Sequence, residues 1–268
     1  MGHADLLREV FPDLNPAVDD LFLLEAHQIA GLPDRAPALE LAAVLHAHPR
    51  LRRFFVARHP QIEEFLARLL AEFGPVGADG LRACEQALLW EIADWIVYQR
   101  APESYDTGAK VDWDLAAVTE VVNLDGKTVI DAGAGTGRVA FDAAPKALHV
   151  FAVEPVATLR QYLRDTATRM GIDNLFVLDG FLHAIPLPAG NADVLLTCQA
   201  LGWALPDELV EVERVVKPGG IAMHLFGTPR AAQPDNPLHE PLIAHGYQPD
   251  TYQEGHVHVT RYWRQIGA

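Results

Sequence analysis

Asp131, Gly133, Gly135, Gly137 and Glu154 are the residues of this chain whose types and spacing best suit ligand chemistry. The run Val129-Ile130-Asp131-Ala132-Gly133-Ala134-Gly135-Thr136-Gly137-Arg138 ends a β-branched apolar stretch in an acid. Three glycines then alternate with small residues. Glycine allows a tight turn and lets a ligand come close to the backbone. A helix starting after such a turn presents unpaired N–H groups. Downstream, His149-Val150-Phe151-Ala152-Val153-Glu154-Pro155 reads as a second strand ending in a carboxylate. A carboxylate at that place can accept both ribose hydroxyls of an adenosine. The glycine spacing is G-x-G-x-G, and a dinucleotide fingerprint would need a further glycine where Arg138 stands. A nicotinamide oxidoreductase is therefore disfavoured. The chemistry indicated is binding of a nucleoside-containing ligand at the carboxyl end of the first strand of an α/β domain.

The elements that must position these residues alternate along the chain. Apolar runs predict strands at 127–131, 148–153, 174–178, 192–197 and 219–226. Helical patterns fall at 136–144, 156–170, 206–216 and 236–246. Such alternation argues for a mainly parallel sheet with helices on both faces. Residues 247–254 and 256–265 read as two strands joined by Gly255. Asp112 is read as the cap of a helix through Val122 that leads into the first core strand.

Two further segments extend the pattern. Leu182-His183-Ala184-Ile185-Pro186-Leu187 runs toward Asp193-Val194-Leu195-Leu196, and Val212-Glu213-Arg214-Val215-Val216-Lys217-Pro218-Gly219-Gly220-Ile221 makes a turn before a strand. In this order, and with the glycine turn and Glu154, they resemble the class I S-adenosylmethionine-dependent methyltransferases over roughly residues 105–265. The resemblance implies a Rossmann-like, mainly parallel seven-stranded sheet closed by an antiparallel C-terminal pair, with S-adenosylmethionine as cofactor. It implies that Asp131 reads the cation or amino group of the methionine part. Gly133, Ala134, Gly135 and Gly137 would lie against the ligand, and Glu154 with Pro155 would meet the ribose. Tyr105, in a turn-rich connector with Asp106, resembles a pair that folds over the bound cofactor in related enzymes; an ordinary polar linker is the other reading. Cys198 and Gln199 would pass under the sulfonium, and Cys198 also reads as a small buried hydrophobe. The sequence departs from the family at the adenine contact. Phe181, Leu182 and His183 stand where Asp-Ala-Glu is usual, and Asp179 lies two residues earlier. Either Asp179 reaches the base through a longer loop, or Gly180, Phe181 and Leu182 contact it by backbone and apolar packing.

Residues 1–104 match no pattern of that kind and read as an all-α cap or dimerisation region, with 105–268 as the cofactor-binding domain. Asn15-Pro16 predicts a helix start, and Leu81, Cys84, Leu88, Ile92 and Trp95 predict one long helix from Asp79 to about Arg100. The net charge of −15 disfavours a phosphate-tracking protein, because such proteins carry a basic face. Arg50, Arg52, Arg53 and Arg58 read as a solvated helix face. No apolar run is long enough to span a membrane, and no basic-then-apolar leader is visible. Two cysteines do not make a disulfide scaffold, so a cytoplasmic location is expected. Histidine pairs at 46/48 and 256/258 lack completing ligands, so no metal is expected. A methyl acceptor that is a weak acid needs a base; His183 and His224 are weak candidates, with His239 nearby. Trp203 reads as core in preference to a pocket wall. The function expected is methyl transfer to a small molecule. The alternatives are a protein or RNA methyltransferase that uses the helical region for recognition, and a non-catalytic cofactor-binding regulator.

Overall fold

The computed structural model describes residues 2–108, 115–228, 236–254 and 257–267. The chain divides into two compact units, residues 1–109 and 110–268.

The first unit is all helix among its described residues. The helices Ala38–Ala47, Pro49–Arg58, Glu63–Glu72, Ala78–Glu91 and Ala93–Arg100 supply most of its core. Leu41, Val44, Phe55, Leu66, Leu88, Ile92 and Ile96 are fully buried there. Three expectations are corrected. The single helix over 79–100 is two helices that break at Ile92, where the backbone leaves the helical region at φ −114°, ψ 23°. Its N-cap is Gly77, not Asp79. The stretch after Asn15-Pro16 forms a 3₁₀ turn, Val18–Leu23, because Asp20 takes the Ala17 amide at 2.8 Å and tightens the entry. The connector expected over 101–108 is a helix, Pro102–Gly108. Proline at the first helical position presets the required φ and forfeits no hydrogen bond.

The second unit is built on a seven-stranded sheet: β1 Thr128–Ala132, β2 His149–Val153, β3 Leu175–Leu178, β4 Ala192–Cys198, β5 Val216–Thr228, β6 Gln248–Glu254 and β7 Val257–Gln265. The order is β3-β2-β1-β4-β5-β7-β6. The first five strands pair in parallel, and β7 is antiparallel to both β5 and β6. Alternation along the strands gives each face its own core. Val129, Val194, Leu196 and Met223 pack on Val139, Leu163 and Ala167 of the helices Arg138–Ala143 and Ala157–Met170. Ile130, Leu195, Ala222 and Tyr262 pack on Leu209, Val212 and Leu242 of the helices Leu205–Val215 and His239–Ala244. The chain leaves β1 toward β2 on one side and enters β4 on the other, so a crevice opens between their carboxyl ends. β5 starts earlier than expected, at Val216, because the Lys217–Gly220 turn is a bulge within the strand, with Lys217 paired to Asp193 at 2.9 Å. The expected cap Asp112 lies outside the described residues, and a short helix, Ala116–Thr119, follows it. Among the described residues no helix is long and apolar enough to cross a membrane.

Gly137 is the tightest point of the first turn. Its φ is +92°, and a Cβ there would strike Leu163 and lie 2.6 Å from Phe141. Gly135, at φ +56°, has open space around it. Urea unfolding should therefore separate the two alanine variants. Gly135→Ala carries only the left-handed conformational penalty, about 1–2 kcal/mol. Gly137→Ala adds overpacking and should destabilise by about 3 kcal/mol or more. Equal losses would show that crowding does not set the requirement at 137.

Candidate functional site

The turn after β1 is pinned to the end of β2 by backbone and side chain together. The amides of Gly133 and Ala134 donate to the Val153 carbonyl at 2.9 and 3.1 Å. The Glu154 carboxylate then accepts from Gly135 N–H at 2.9 Å and from Val156 N–H at 2.8 Å. Glu154 is 5% exposed. Each carboxylate oxygen has two lone pairs, so a single amide does not saturate either oxygen. Arg160 donates to the carbonyls of Glu154 and Pro155 at 2.9 and 2.7 Å and fixes the path of that corner.

Asp131 sits beneath this turn on the last part of β1, 1% exposed. Burial pushes its carboxyl up to about 7; the Ala140 amide opposes the shift, and the nearby Glu154 charge adds to it. Oδ2 has no hydrogen-bond partner among the described residues. A buried carboxylate oxygen without a partner is costly and suits a cationic or donor ligand.

The wall beyond β3 and β4 is equally fixed. Gly180 packs where a Cβ would be 2.7 Å from Pro186 and 3.0 Å from Val153. Phe181 bridges to Ala184, and its ring stacks on His183 at 5.2 Å. Leu182 is buried. Asp179 is exposed and pairs with Arg160 at 3.0 Å. At the end of β4, Cys198 is half-buried and is not in a disulfide. Gln199 takes a left-handed φ of +60°, and its amide bonds the Leu225 carbonyl at 3.0 Å. Ala200 then lies against Gly133, where no Cβ would fit. Glu208, buried in the first turn of the helix Leu205–Val215, accepts from the amides of Gly202, Trp203 and Ala204 at 2.7, 3.2 and 3.2 Å. Trp203 is 73% exposed. It is not the core residue expected, because Glu208 sets the backbone of this loop and turns the indole outward. The sequence signal for Glu208 was weak, an acid in a helix first turn. Arg160 gave none.

The histidines divide. His224 is fully buried on β5, beside Thr197 of β4, with Nδ1 2.9 Å from the Thr197 hydroxyl and its ring 4.9 Å from Tyr247. Burial pushes it down to about 3, so it is neutral. A ring with no exposed surface is out of reach of an acceptor arriving from solvent. His183 is exposed on its loop. His239 shares a 2.8 Å hydrogen bond with the Tyr262 hydroxyl. Tyr105 stacks on Phe11 at 6.5 Å and meets Tyr98 edge-on at 5.1 Å within the helical unit; the side chain of Asp106 lies outside the described residues. His46 is held by the Phe73 carbonyl and His48 by Glu85. Among the described residues no cluster of three or more His, Cys, Asp or Glu could hold a metal ion. The side chains of His256 and His258 lie outside the described residues.

Residues 130–224 match a family described as a methyltransferase domain. The chain is 33% identical over 124 residues to uncharacterized methyltransferases of Mycobacterium bovis and Mycobacterium tuberculosis, covering 46% of this chain and 46% of each relative. The chain thus spans about half the length of the curated relatives it matches. Among solved structures, a SAM-dependent methyltransferase from Aquifex aeolicus is 17% identical, with a TM-score of 0.48 over 62% of this chain and 90% of that one. The family match over residues 130–224 contains Asp131, the glycine turn and Glu154. The acid with an unpartnered oxygen, the open Gly135 and the two-oxygen Glu154 fit the cofactor of that family. This similarity supports a methyltransferase domain over residues 130–224, with S-adenosylmethionine as its cofactor.

Proposed function

We propose that this chain transfers a methyl group from S-adenosylmethionine to a small-molecule acceptor. The observation that carries the reading is the pair of buried carboxylates at the crevice, Asp131 with an unpartnered oxygen and Glu154 locked to the open Gly135 turn. Bound S-adenosylmethionine supplies a methyl group already activated on a sulfonium sulfur. The protein's task is then chiefly to hold two reactants in line. We assign the methionyl cation to Asp131, the backbone approach to Gly133, Ala134, Gly135 and Gly137, and the ribose to Glu154 with Pro155. The adenine face falls to Gly180, Phe181 and Leu182, since Asp179 is engaged by Arg160. Cys198 and Gln199 border the methyl position. Tyr105 stays a candidate cover through the segment that joins the units. No base is assigned; of the two weak candidates, His183 is the reachable one. The acidic net charge favours a small acceptor over nucleic acid. A cytoplasmic location suits two cysteines that form no disulfide.

Calorimetric titration with S-adenosylmethionine and S-adenosylhomocysteine, with NAD as control, tests the reading. Binding of the sulfur ligands and not of NAD is expected, and the reverse pattern would overturn it. Gly135→Ala should fold yet weaken both sulfur ligands, because its Cβ enters the open space. Glu154→Ala should lose about 1.5–3 kcal/mol for each charge-assisted hydrogen bond to the ribose. Unchanged affinity would remove Glu154 from that role.

The pH dependence has a definite sign. A cation binds the ionised form of Asp131, and its carboxyl is raised to about 7 in the free protein. Affinity should therefore rise about tenfold between pH 6 and 8, and Asp131→Asn should flatten the profile. Stability of the ligand-free protein runs the other way. The Asp131 contribution is full below the ordinary carboxylate range and is lost as pH rises through about 7, since the folded state binds the proton more tightly than the unfolded chain.

A further inference from the structure

The loop that follows β4 carries a large apolar side chain in water, held there by a buried acid. Trp203 is 73% exposed, while Glu208 is 1% exposed and accepts from three consecutive loop amides. The loop has little freedom to withdraw the indole. Gln199 is fixed at φ +60°, and Gly202 at φ +117° would bring a Cβ within 3.0 Å of Leu238. Ala200 packs on Gly133, so the loop is seated on the cofactor turn itself. Trp203 is three positions after Ala200, which puts their Cα atoms at most about 11 Å apart. An exposed tryptophan on a preorganised loop at the crevice between β1 and β4 is positioned for recognition, since rigid aromatic surface binds with little loss of conformational entropy.

We propose that Trp203 is the stacking platform for the methyl acceptor, and that the acceptor is a flat aromatic or heteroaromatic small molecule. This rests on the methyltransferase reading above. The indole offers a face to a planar ring, and its rim stays in solvent. Glu208 is a positioning residue: it holds the amides on either side of the tryptophan and leaves the ring free to meet its ligand.

A matched pair of probes tests the assignment: 2,3-dihydroxynaphthalene, which is flat, and decalin-2,3-diol, its saturated counterpart. Each is titrated calorimetrically into the full chain with saturating S-adenosylhomocysteine, using wild type, Trp203→Phe and Trp203→Ala. Wild type should prefer the flat probe by about five- to a hundredfold, the range of stacking on an aromatic side chain. Trp203→Phe should keep most of that preference and Trp203→Ala should lose it, with the affinity for S-adenosylhomocysteine the same in all three. A wild type that does not prefer the flat probe overturns the proposal, as does Trp203→Ala retaining the preference. A change in sedimenting mass in Trp203→Ala, with probe binding unaltered, would make the indole a protein contact instead. If S-adenosylhomocysteine does not bind, the methyltransferase reading fails; the probe titrations without it then decide the role of Trp203 on their own.

Discussion

The arrangement depends on one carboxylate. Glu154 accepts an amide from the glycine turn and another from the start of the following helix, and so joins the ends of two adjacent strands. Without it, the Gly135 amide would lose its acceptor, and the turn would be held to β2 by the Gly133 and Ala134 bonds to Val153. A charge-assisted hydrogen bond in a nearly dry setting is stronger than one in water. The same buried negative charge helps raise Asp131, so the two acids are linked in energy as well as in space. A site with two buried carboxylates, one of them with an unpartnered oxygen, is poised for a cationic ligand.

Much of the fold was legible because parallel strands buried on both faces read as continuous apolar runs. Val129–Ala132, Val150–Val153 and Val194–Leu196 have that character, and the strand expectations fall within a few residues of those found. The glycine turn was legible for a related reason: Gly137 and Gly133 meet side chains that leave no room for a Cβ. The helical unit was less so. Ile92 satisfies the apolar period of a continuous helix and is fully buried, so periodicity cannot reveal that its backbone breaks the helix. Asn15 and Asp20 are both good capping residues, and only the folded chain shows that Asp20 takes the amide.

The site was legible where chemistry is carried by residue type, and illegible where it is carried by direction. Asp131 and Glu154 are acids at strand ends, and both are found buried at the glycine turn. His224 shares its residue type with a general base, yet sheet and helices enclose it completely. Trp203 shares its type with core residues and points outward because an acid five positions later, Glu208, dictates the path of the chain. Asp179 is exposed and paired with Arg160, a contact that the sequence does not mark. Each of these outcomes depends on a partner far enough along the chain, or so ordinary in type, that no local pattern marks it.

The anchoring of the β4 loop by Glu208 has a consequence for how such a protein can change over time. The bonds by which Glu208 shapes the loop end on backbone amides. Position 203 therefore contributes surface and not architecture, and many side chains can occupy it at small cost in stability. Ala200, pressed against Gly133, has no such latitude. Neighbouring positions in one loop thus divide between a constrained mechanical contact with the glycine turn and a site open to diversification. A lineage could exchange one acceptor for another at 203 while leaving the machinery that holds the methyl donor undisturbed.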